Sequence, residues 1–289
     1  MRWLVTGAAG MLGQDLVGQL RARGDEVTAT DRPEIDITDA DAVDLAVGGH
    51  DVIVNCAAWT AVDAAETNEA GAFAVNAIGP QQLARAARAH GVRLVQISTD
   101  YVFGGDATSP YAEHAALAPR SAYGRTKGAG EWAVRTETPD HLIVRTAWLY
   151  GAGGGCFPKT IARVAGERGG LEVVDDQFGQ PTWTADLADL IIRLVAADAP
   201  AGIYHGTSTG EASWHGFAQA VVAAAGLDPA IVRTTTSEGS ARPAPRPAYS
   251  VLGHDALDAI GIAPIGPWRE RWEVAAESVL SGTLHASVR

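Results

Sequence analysis

The residues best suited to acid–base chemistry in this sequence are a tyrosine and a lysine four positions apart, Tyr123 and Lys127. At that spacing both side chains lie on one face of a helix. A tyrosine normally ionises near pH ~10, which is too high for proton exchange at neutral pH. A nearby cation favours the phenolate and lowers the pKa of the phenol, so the pair predicts a proton donor with an adjusted pKa.

A Tyr-x-x-x-Lys pair is common by chance, and a solvated helical pair is the alternative interpretation. The choice of lysine favours catalysis, because of the 22 basic residues only Lys127 and Lys159 are lysines. Arginine would serve equally well on a surface, but its planar guanidinium does not replace a compact ammonium group. We therefore predict that Lys127 acts on Tyr123.

A third candidate, Thr99, closes an apolar run that begins at Arg93. The run predicts a strand, and its carboxyl end is the edge at which doubly wound sheets hold their ligands. A hydroxyl group there is placed to share a hydrogen bond with a substrate oxygen beside Tyr123. An ordinary β-branched strand residue is the alternative for Thr99.

Three glycines near the start, Gly7, Gly10 and Gly13, predict a dinucleotide-binding turn. A strand-like run precedes them, a helical pattern follows, and Asp31 stands 18 positions beyond Gly13. Gly7 permits the tight turn, Gly10 lets the backbone approach a pyrophosphate, and Gly13 allows close packing of helix on strand. The helix N-terminus favours the negative charge of such a ligand. A glycine-rich turn without a ligand is the less favoured alternative.

The residues after the second predicted strand leave the choice of cofactor open. Asp31 is suited to accept hydrogen bonds from the adenosine ribose, which favours NAD, whereas Arg32 is suited to hold a 2′-phosphate, which favours NADP. A surface ion pair is a further alternative for Arg32. The small residues Cys56, Ala57 and Ala58 suit a cofactor wall or tight packing.

Elements that would position these side chains alternate through the first half of the chain. Strands are predicted at residues 3–6, 26–31, 51–55, 93–99 and 141–150. Helices are predicted at residues 11–23, from the N-cap Thr38 to Val47, over a long stretch ending at His90 before Gly91, and around 123–135. This alternation implies βαβ crossovers and a parallel, doubly wound α/β sheet of the Rossmann type.

Beyond Gly151 the pattern is less regular. Helices are predicted at residues 158–168, 185–197, 214–225 and 268–280, and strands at 171–174 and around Tyr204. We predict a dinucleotide-binding domain over residues 1–150. Residues 151–289 are expected to form mainly a smaller C-terminal α/β substrate lobe, with segments near 171–205 returning to the Rossmann domain.

Composition narrows the class of protein. With 289 residues, 47% hydrophobic and 19% charged, the chain is too apolar to be disordered. No apolar run approaches the roughly 20 residues of a membrane span, so a soluble, cytoplasmic protein is expected. The net charge of −12 argues against binding nucleic acid. Two cysteines and scattered histidines predict no disulfide framework and no metal site, and the choice between monomer and homodimer stays open.

Several motifs taken together resemble a known family. The chain resembles the extended short-chain dehydrogenases/reductases in four motifs. These are Thr-Gly-x-x-Gly-x-x-Gly at residues 6–13, Asn-Cys-Ala-Ala at 55–58, Ser-Thr-Asp-Tyr-Val-Phe at 98–103 and Tyr-x-x-x-Lys at 123–127. Within that class, residues 55–63, 98–103, 145–151 and 176–182 resemble the dTDP-4-dehydrorhamnose reductase family. The resemblance runs from Met1 to about Leu252. It implies a Thr99, Tyr123 and Lys127 triad that reduces the C4 ketone of dTDP-4-dehydro-6-deoxy-L-mannose with NADPH or NADH, giving dTDP-L-rhamnose.

The motifs and the resemblance also give expected ligand contacts. Cofactor contacts are expected at Gly7, Gly10, Met11, Leu12, Gly13, Asp31, Arg32, Asp36, Ile37, Ala57, Ala58, Thr60, Asn76, Tyr123 and Lys127. Contacts with the nucleotide sugar are expected at Thr99, Asp100, Tyr101, Val102, Phe103, Trp148, Lys159, Gln177, Gln180, Pro181, Thr182 and Arg246. The cations Lys159 and Arg246, with Arg163, would meet the diphosphate, although solvated surface charge is an equal alternative for Arg163. Trp148 shapes the sugar pocket or packs in the core.

Two positions depart from the family pattern and leave the sugar open: Cys156 and Tyr249 stand where the family usually carries asparagine. Some relatives bridge a dimer through a metal held near the first helix, where Asp15 is one suitable acid, but its partner acids are not evident. Alternative functions are reduction of a related dTDP-4-keto sugar such as a streptose-type precursor, an epimerase or dehydratase that retains its cofactor, and a non-catalytic regulatory subunit. A dehydratase typically carries glutamate where this chain has Tyr101.

Overall fold

The structure is a computed structural model that describes residues 1–240 and 242–281. Its strands are β1 (Arg2–Thr6), β2 (Glu26–Thr30), β3 (Val52–Asn55), β4 (Arg93–Thr99), β5 (His141–Thr146), β6 (Leu149–Tyr150), β7 (Leu171–Val174), β8 (Phe178–Gly179), β9 (Thr182–Trp183), β10 (Gly202–His205), β11 (Ser208–Thr209), β12 (Ala212–Ser213), β13 (Val232–Thr235) and β14 (Ile265–Pro267). Its α-helices are α1 (Met11–Ala22), α2 (Ala40–Val47), α3 (Val62–Thr67), α4 (Glu69–Phe73), α5 (Gly79–His90), α6 (Ala122–Glu137), α7 (Phe157–Arg168), α8 (Thr184–Ala196), α9 (Trp214–Ala224), α10 (Asp255–Ala259) and α11 (Trp268–Leu280). A π-helical turn (Ala74–Ile78) joins α4 to α5, and 3₁₀ turns occupy Asp100–Val102, Pro229–Ile231 and Ser237–Ser240.

Six of these strands form one parallel sheet in the order β10, β5, β4, β3, β1, β2. The strand order reverses at β1, because β2 lies on one side of β1 and β3 lies on the other. In such sheets ligands bind at the carboxyl ends of the strands beside this reversal. The prediction of a doubly wound α/β sheet is confirmed.

The alternating side chains of the central strands explain why helices cover both faces of this sheet. Trp3 and Val5 of β1 pack with α1 and α8, whereas Leu4 packs on the opposite face with α2 and α5. All four residues of β3 are buried, as expected for a strand covered on both sides. This packing leaves the carboxyl edge of the strands for the connecting loops.

Two local predictions from sequence are wrong. Asp39, not Thr38, caps α2, since the Asp39 carboxylate accepts from the amides of Asp41 and Ala42, while the Thr38 hydroxyl donates to Asp36. The long helix predicted up to His90 is broken into α3, α4, the π-helical turn and α5. The break has a local cause, because Asn68 leaves the helical conformation and its side chain caps the first turn of α4.

The second half of the chain builds a separate core and adds to the sheet. β7 pairs with β13 and does not join the central sheet, so the strand predicted at 171–174 does not return there. From Thr184 onwards the chain does reach the sheet, since α8 packs against α1 and β10 pairs with β5. The division into two domains at residue 150 stays a prediction.

Aromatic side chains form much of that separate core. Phe217 and Trp272 lie at its centre, Trp268 is buried beside them, and Trp183 and Trp214 pack against it. In the described parts of the chain, no helix combines the length and the apolar character needed to cross a membrane.

Candidate active site

A cleft of about 610 Å³ opens at the carboxyl ends of β1, β3, β4 and β5, where the order of the strands reverses. Most residues predicted to touch the cofactor line it, namely Gly7, Gly10, Met11, Leu12, Gly13, Asp31, Arg32, Asp36, Ile37, Ala57, Ala58, Thr60, Tyr123 and Lys127. Of those predicted to touch the sugar, it is lined by Thr99, Asp100, Tyr101 and Trp148. The fold therefore brings residues more than 100 positions apart in the chain into one cleft.

The glycine turn between β1 and α1 fits a dinucleotide pyrophosphate. Gly7 has a φ of +67°, and a Cβ atom there would lie 2.5 Å from the backbone nitrogen of Ala57, so no side chain fits. Gly10 is the N-cap of α1 and supplies no side-chain cap. The first amides of α1 therefore face the cleft without competition from a capping group, which is what an anion at a helix N-terminus requires.

The end of β2 keeps both cofactor choices available. One Asp31 carboxylate oxygen accepts from the Ala9 amide at 2.9 Å and the other from the Arg32 amide at 2.8 Å, so this carboxylate ties the glycine turn to β2. The Arg32 side chain is exposed at the rim of the cleft. Asp36 is engaged by the amide and hydroxyl of Thr38, and these hydrogen bonds lower the pKa of its carboxyl group.

Helix α6 delivers the tyrosine and the lysine to the cleft. Ser121 caps the helix by accepting from the Gly124 amide at 3.1 Å, and Tyr123 follows in the first turn. The Tyr123 ring meets the Tyr101 ring edge-on at 5.6 Å. One turn later Lys127 is 4% exposed, and its Nζ donates to the Ile97 carbonyl at 2.6 Å. The lysine thus connects α6 to β4.

Burial, not the lysine, dominates the ionisation of the tyrosine in this structure. It raises the pKa of Tyr123 to about 12, and the Thr99 hydroxyl opposes that rise only in part. The predicted lowering of this pKa by Lys127 is not seen, because burial is the largest effect on the phenol. Burial also lowers the pKa of Lys127 to about 8, against the opposing charge of Glu131.

Thr99 is part of a small hydrogen-bond chain at the end of β4. Its hydroxyl donates to an Asp100 carboxylate oxygen at 2.9 Å and accepts from the Tyr101 amide at 3.2 Å. Burial raises the pKa of Asp100 to about 6, although the hydroxyls of Ser250 and Thr99 act in the other direction. A carboxyl group that faces the cleft thus titrates closer to neutrality than an ordinary aspartate.

A buried ion pair behind Lys127 was not predicted from the sequence. Arg145 Nε and Nη2 donate to the two carboxylate oxygens of Glu131 at 2.8 and 2.7 Å, and both side chains are 2% exposed. The Ser98 hydroxyl also donates to Glu131. The signals available were an arginine inside an apolar strand and a glutamate that continues the Tyr123–Lys127 face by one further helical turn.

Asn76, Val102 and Phe103 are predicted contacts that do not line the cleft. The Asn76 side chain bonds the backbone of Trp59 and the hydroxyl of Thr126, so it fixes one wall from behind. Val102 and Phe103 are buried in a small cluster with Leu252. For these side chains a direct ligand contact stays a prediction.

The cations predicted to meet a diphosphate are engaged by the protein itself. Lys159 Nζ donates to the carbonyls of Ala152 and Gly154 at 2.6 and 2.8 Å. Arg163 pairs with Glu167, one turn along α7, as the surface-charge alternative expects. Arg246 pairs with the Asp63 carboxylate at 3.0 Å, and none of the three cations lines the cleft.

The predicted segment at residues 177–182 forms a scaffold under Trp148. Gln180 exchanges two hydrogen bonds with the backbone of Leu252, and the Thr182 amide donates to the Trp148 carbonyl. Gln177 donates to Ser237, and Pro181 is buried. This segment does not line the cleft.

Trp148 lines the cleft and also packs against the second core. It has a positive φ of 47°, a strained conformation for a bulky residue. Its ring stacks on Trp214 with 3.5 Å between centroids. The packing interpretation of Trp148 therefore holds, and its role in shaping a sugar pocket stays a prediction.

The positions that depart from the family pattern have internal partners. Cys156 begins α7 as its N-cap, and the Tyr249 hydroxyl donates to Glu211 at 3.2 Å. Asp15 accepts a hydrogen bond from Thr184. Among residues 1–240 and 242–281, no group of three or more potential metal ligands comes together, and the prediction of no metal stays a prediction.

A nucleotide-binding turn and an acid–base pair that share one cleft of a doubly wound sheet define a class, the extended short-chain dehydrogenases/reductases. The model of the RmlD substrate binding domain family matches residues 1–280. The chain belongs to that family.

Named relatives agree with this assignment. The chain is 54% identical over 275 residues to a dTDP-4-dehydrorhamnose reductase of Streptomyces griseus, which covers 93% of this chain and 90% of that protein. It is 49% identical over 284 residues to a probable dTDP-4,6-dihydroxy-2-methyloxan-3-one 4-ketoreductase of Streptomyces antibioticus, covering 97% and 96%. The structure of dTDP-4-dehydrorhamnose reductase from Bacillus anthracis in complex with NADP superposes with a TM-score of 0.91 at 37% identity, covering 95% and 98%. The chain is an NAD(P)H-dependent oxidoreductase.

Proposed function

We propose that this chain reduces the C4 ketone of dTDP-4-dehydro-6-deoxy-L-mannose to give dTDP-L-rhamnose. The observation that carries the proposal is the meeting of Thr99, Tyr123 and Lys127 with the glycine turn in one cleft. The chain's 54% identity to a reductase of that name supports the choice of sugar. A bound nicotinamide cofactor supplies the hydride.

The chain's own residues manage the proton and the geometry. Tyr123 donates its phenolic proton to the alkoxide that develops at C4. With a pKa near 12, the phenol stays protonated throughout the neutral range and is ready to donate. The Thr99 hydroxyl, which donates to Asp100 without a ligand, turns its proton to the ketone oxygen and holds that oxygen beside the phenol. Lys127, anchored on the Ile97 carbonyl, would hold the cofactor ribose and supply a positive charge there.

The direct test is a steady-state assay of the purified protein with the keto sugar, comparing NADH and NADPH by absorbance at 340 nm. We expect one cofactor oxidised for each sugar reduced. An epimerase or a dehydratase that retains its cofactor would turn the sugar over with no net loss of absorbance, and a regulatory subunit would show no turnover.

Changing Tyr123 to Phe removes the proton donor while keeping the ring. We expect kcat to fall by about 10²- to 10⁴-fold, the usual contribution of a general acid. The cofactor Kd, followed by fluorescence titration, should stay within about twofold, because the ring still fills its place against Tyr101. Near-normal turnover in this variant would contradict the proposed mechanism.

A second candidate substrate is a related dTDP-4-keto sugar. The 49% identity to the Streptomyces antibioticus 4-ketoreductase favours it, and Cys156 and Tyr249 depart from the family pattern. The same assay with such sugars compares kcat/KM values directly, and the higher value identifies the substrate.

The proposed reaction places the protein in the cytoplasm, where its nucleotide-sugar substrate and reduced cofactor would be found. A small-molecule nucleotide sugar is the expected partner, and binding of nucleic acid is not expected from the net charge of −12. Monomer and homodimer both remain compatible with this function, and light scattering of the purified protein distinguishes them.

A further inference from the structure

One buried hydroxyl group in the wall of the cleft has no hydrogen-bond partner among residues 1–240 and 242–281. Thr146 is 5% exposed and lines the cleft. Within the described part of the chain its Oγ1 atom is unpaired. Burying a hydroxyl without a partner is costly, and such groups are few in native proteins. A partner from outside the protein is therefore the natural explanation.

The position of Thr146 indicates what kind of partner this is. It is the last residue of β5 and lies in register with Thr99, the last residue of β4. Registered residues of neighbouring strands point to the same face, on strands about 4.8 Å apart, and Ile97 and Val144 on that face pack in one core cluster. The two threonine side chains therefore lie side by side at the edge where the reaction takes place.

Of the Thr99 and Thr146 hydroxyls, that of Thr146 is the one whose proton makes no hydrogen bond to the described residues. A threonine hydroxyl carries a single proton, and Thr99 spends its own on the Asp100 carboxylate at 2.9 Å. The Lys127 ammonium donates one of its three N–H groups to the Ile97 carbonyl. The Thr146 hydroxyl is free to donate without breaking any bond of the protein.

We propose that Thr146 Oγ1 donates a hydrogen bond to a carbonyl oxygen of a ligand bound in this cleft. The identity of the ligands rests on the proposed function. That function provides two suitable carbonyl groups, the ketone of the sugar and the carboxamide of the nicotinamide. Both groups present a carbonyl oxygen to the Thr146 hydroxyl. The Kd of the cofactor and the kcat/KM for the sugar are therefore needed to distinguish them.

The test uses two substitutions at this position. Thr146→Val keeps the shape and removes the hydroxyl, and Thr146→Ser keeps the hydroxyl. If the acceptor is the carboxamide, Thr146→Val raises the Kd of NADPH or NADH about tenfold. If the acceptor is the sugar ketone, kcat/KM for the sugar falls about 10²-fold at an unchanged cofactor Kd, as for a lost oxyanion donor. In both cases Thr146→Ser stays within about threefold of the wild type.

Thermal unfolding of the unliganded protein separates binding from a structural role. Because the hydroxyl has no internal partner, Thr146→Val should melt at or above the wild-type temperature. The matched control is Ser208→Ala, since the Ser208 hydroxyl is also buried and has no partner among the described residues, but lies on β11, away from the cleft. It should leave the cofactor Kd and kcat/KM unchanged.

Two results overturn the proposal. One is a Thr146→Val protein that binds cofactor and reduces the sugar like the wild type. The other is a Thr146→Val protein that melts far lower or does not fold, which would mean that the hydroxyl has a partner inside the protein. Failure of the proposed function shows itself separately, as wild-type protein that binds cofactor but does not turn over any keto sugar.

Discussion

Lys127 is a buried cation whose ammonium donates to the Ile97 carbonyl at 2.6 Å. Burial lowers its pKa from 10.5 to about 8. The shift is the energetic cost of placing an ammonium group among apolar side chains. The same burial strengthens the attraction between the ammonium and an anionic cofactor, because water does not compete for the ammonium.

This shift predicts a pH dependence of stability. Between pH 8 and 10.5 the unfolded chain holds a proton on Lys127 that the folded protein has released, so the free energy of unfolding rises with pH through that window. Below pH 8 the full penalty is present. Changing Lys127 to Met removes the contribution, which reaches about 1.4 kcal/mol per pH unit at most.

Urea unfolding of the wild type and of Lys127→Met from pH 7 to 10 measures this effect. We expect the wild type to gain stability relative to the variant as the pH rises above 8. Comparing the two proteins cancels the titration of groups that do not interact with Lys127. The Cys56 thiol does interact with it, but burial raises its pKa to about 12, so in the folded protein it stays protonated up to pH 10. Parallel pH profiles would show that the folded-state pKa of Lys127 is ordinary.

At the scale of elements, the contact between α6 and β5 depends on the Glu131–Arg145 pair. The pair is bidentate and excluded from water, and Arg145 also donates to the Glu113 carbonyl and lies over the Phe103 ring. Because α6 carries Tyr123 and Lys127, the pair also fixes how that helix sits against the ends of the strands.

Breaking this pair should be expensive. Glu131→Gln leaves the Arg145 charge buried without its bidentate carboxylate, and we expect a loss of about 3–5 kcal/mol in the free energy of unfolding. The matched control is Glu167→Gln, which breaks the exposed Arg163–Glu167 pair on α7 and should cost less than about 0.5 kcal/mol. Chemical denaturation of both variants gives the comparison, and equal losses would contradict this account of the pair.

At the scale of the whole molecule, an ion pair ties the two halves of the chain together beside the cleft. Asp63, at the start of α3, accepts from the Ala244 amide at 3.2 Å and from Arg246 at 3.0 Å. Burial raises the pKa of the half-buried Tyr101 phenol, and of these two charges Arg246 lowers that pKa and Asp63 raises it. The pair therefore holds the segment around Arg246 close to the sugar side of the cleft.

Asp63→Asn should loosen that segment and leave the glycine turn intact. We expect the KM for the nucleotide sugar to rise about three- to fivefold, because a partly exposed ion pair contributes up to about 1 kcal/mol, while kcat and the cofactor Kd stay unchanged. The control is Asp51→Asn, which breaks the Arg2–Asp51 pair at the amino edge of the sheet, away from the cleft. An increased cofactor Kd in Asp63→Asn, or a KM equal to that of the control, would argue against this role.

The sequence alone determined the fold class, the glycine turn between the first strand and helix, and the placing of Tyr123 and Lys127 on one helix face. These features are local, because the period of apolar residues sets the element, and i, i+4 spacing sets the face of a helix. The carboxyl ends of parallel strands share one edge, so Thr99 could also be placed near the pair.

Only the tertiary structure decided what each charged or polar group touches and how it ionises. Lys159 donates to carbonyls of its own loop, and Arg246 pairs with a carboxylate 183 positions away. Burial raises the pKa of Tyr123 where spacing alone predicted a lowering, and Thr146 is left with a free proton. Hydrogen-bond partners and desolvation depend on what the fold packs around a side chain, which no short stretch of sequence specifies.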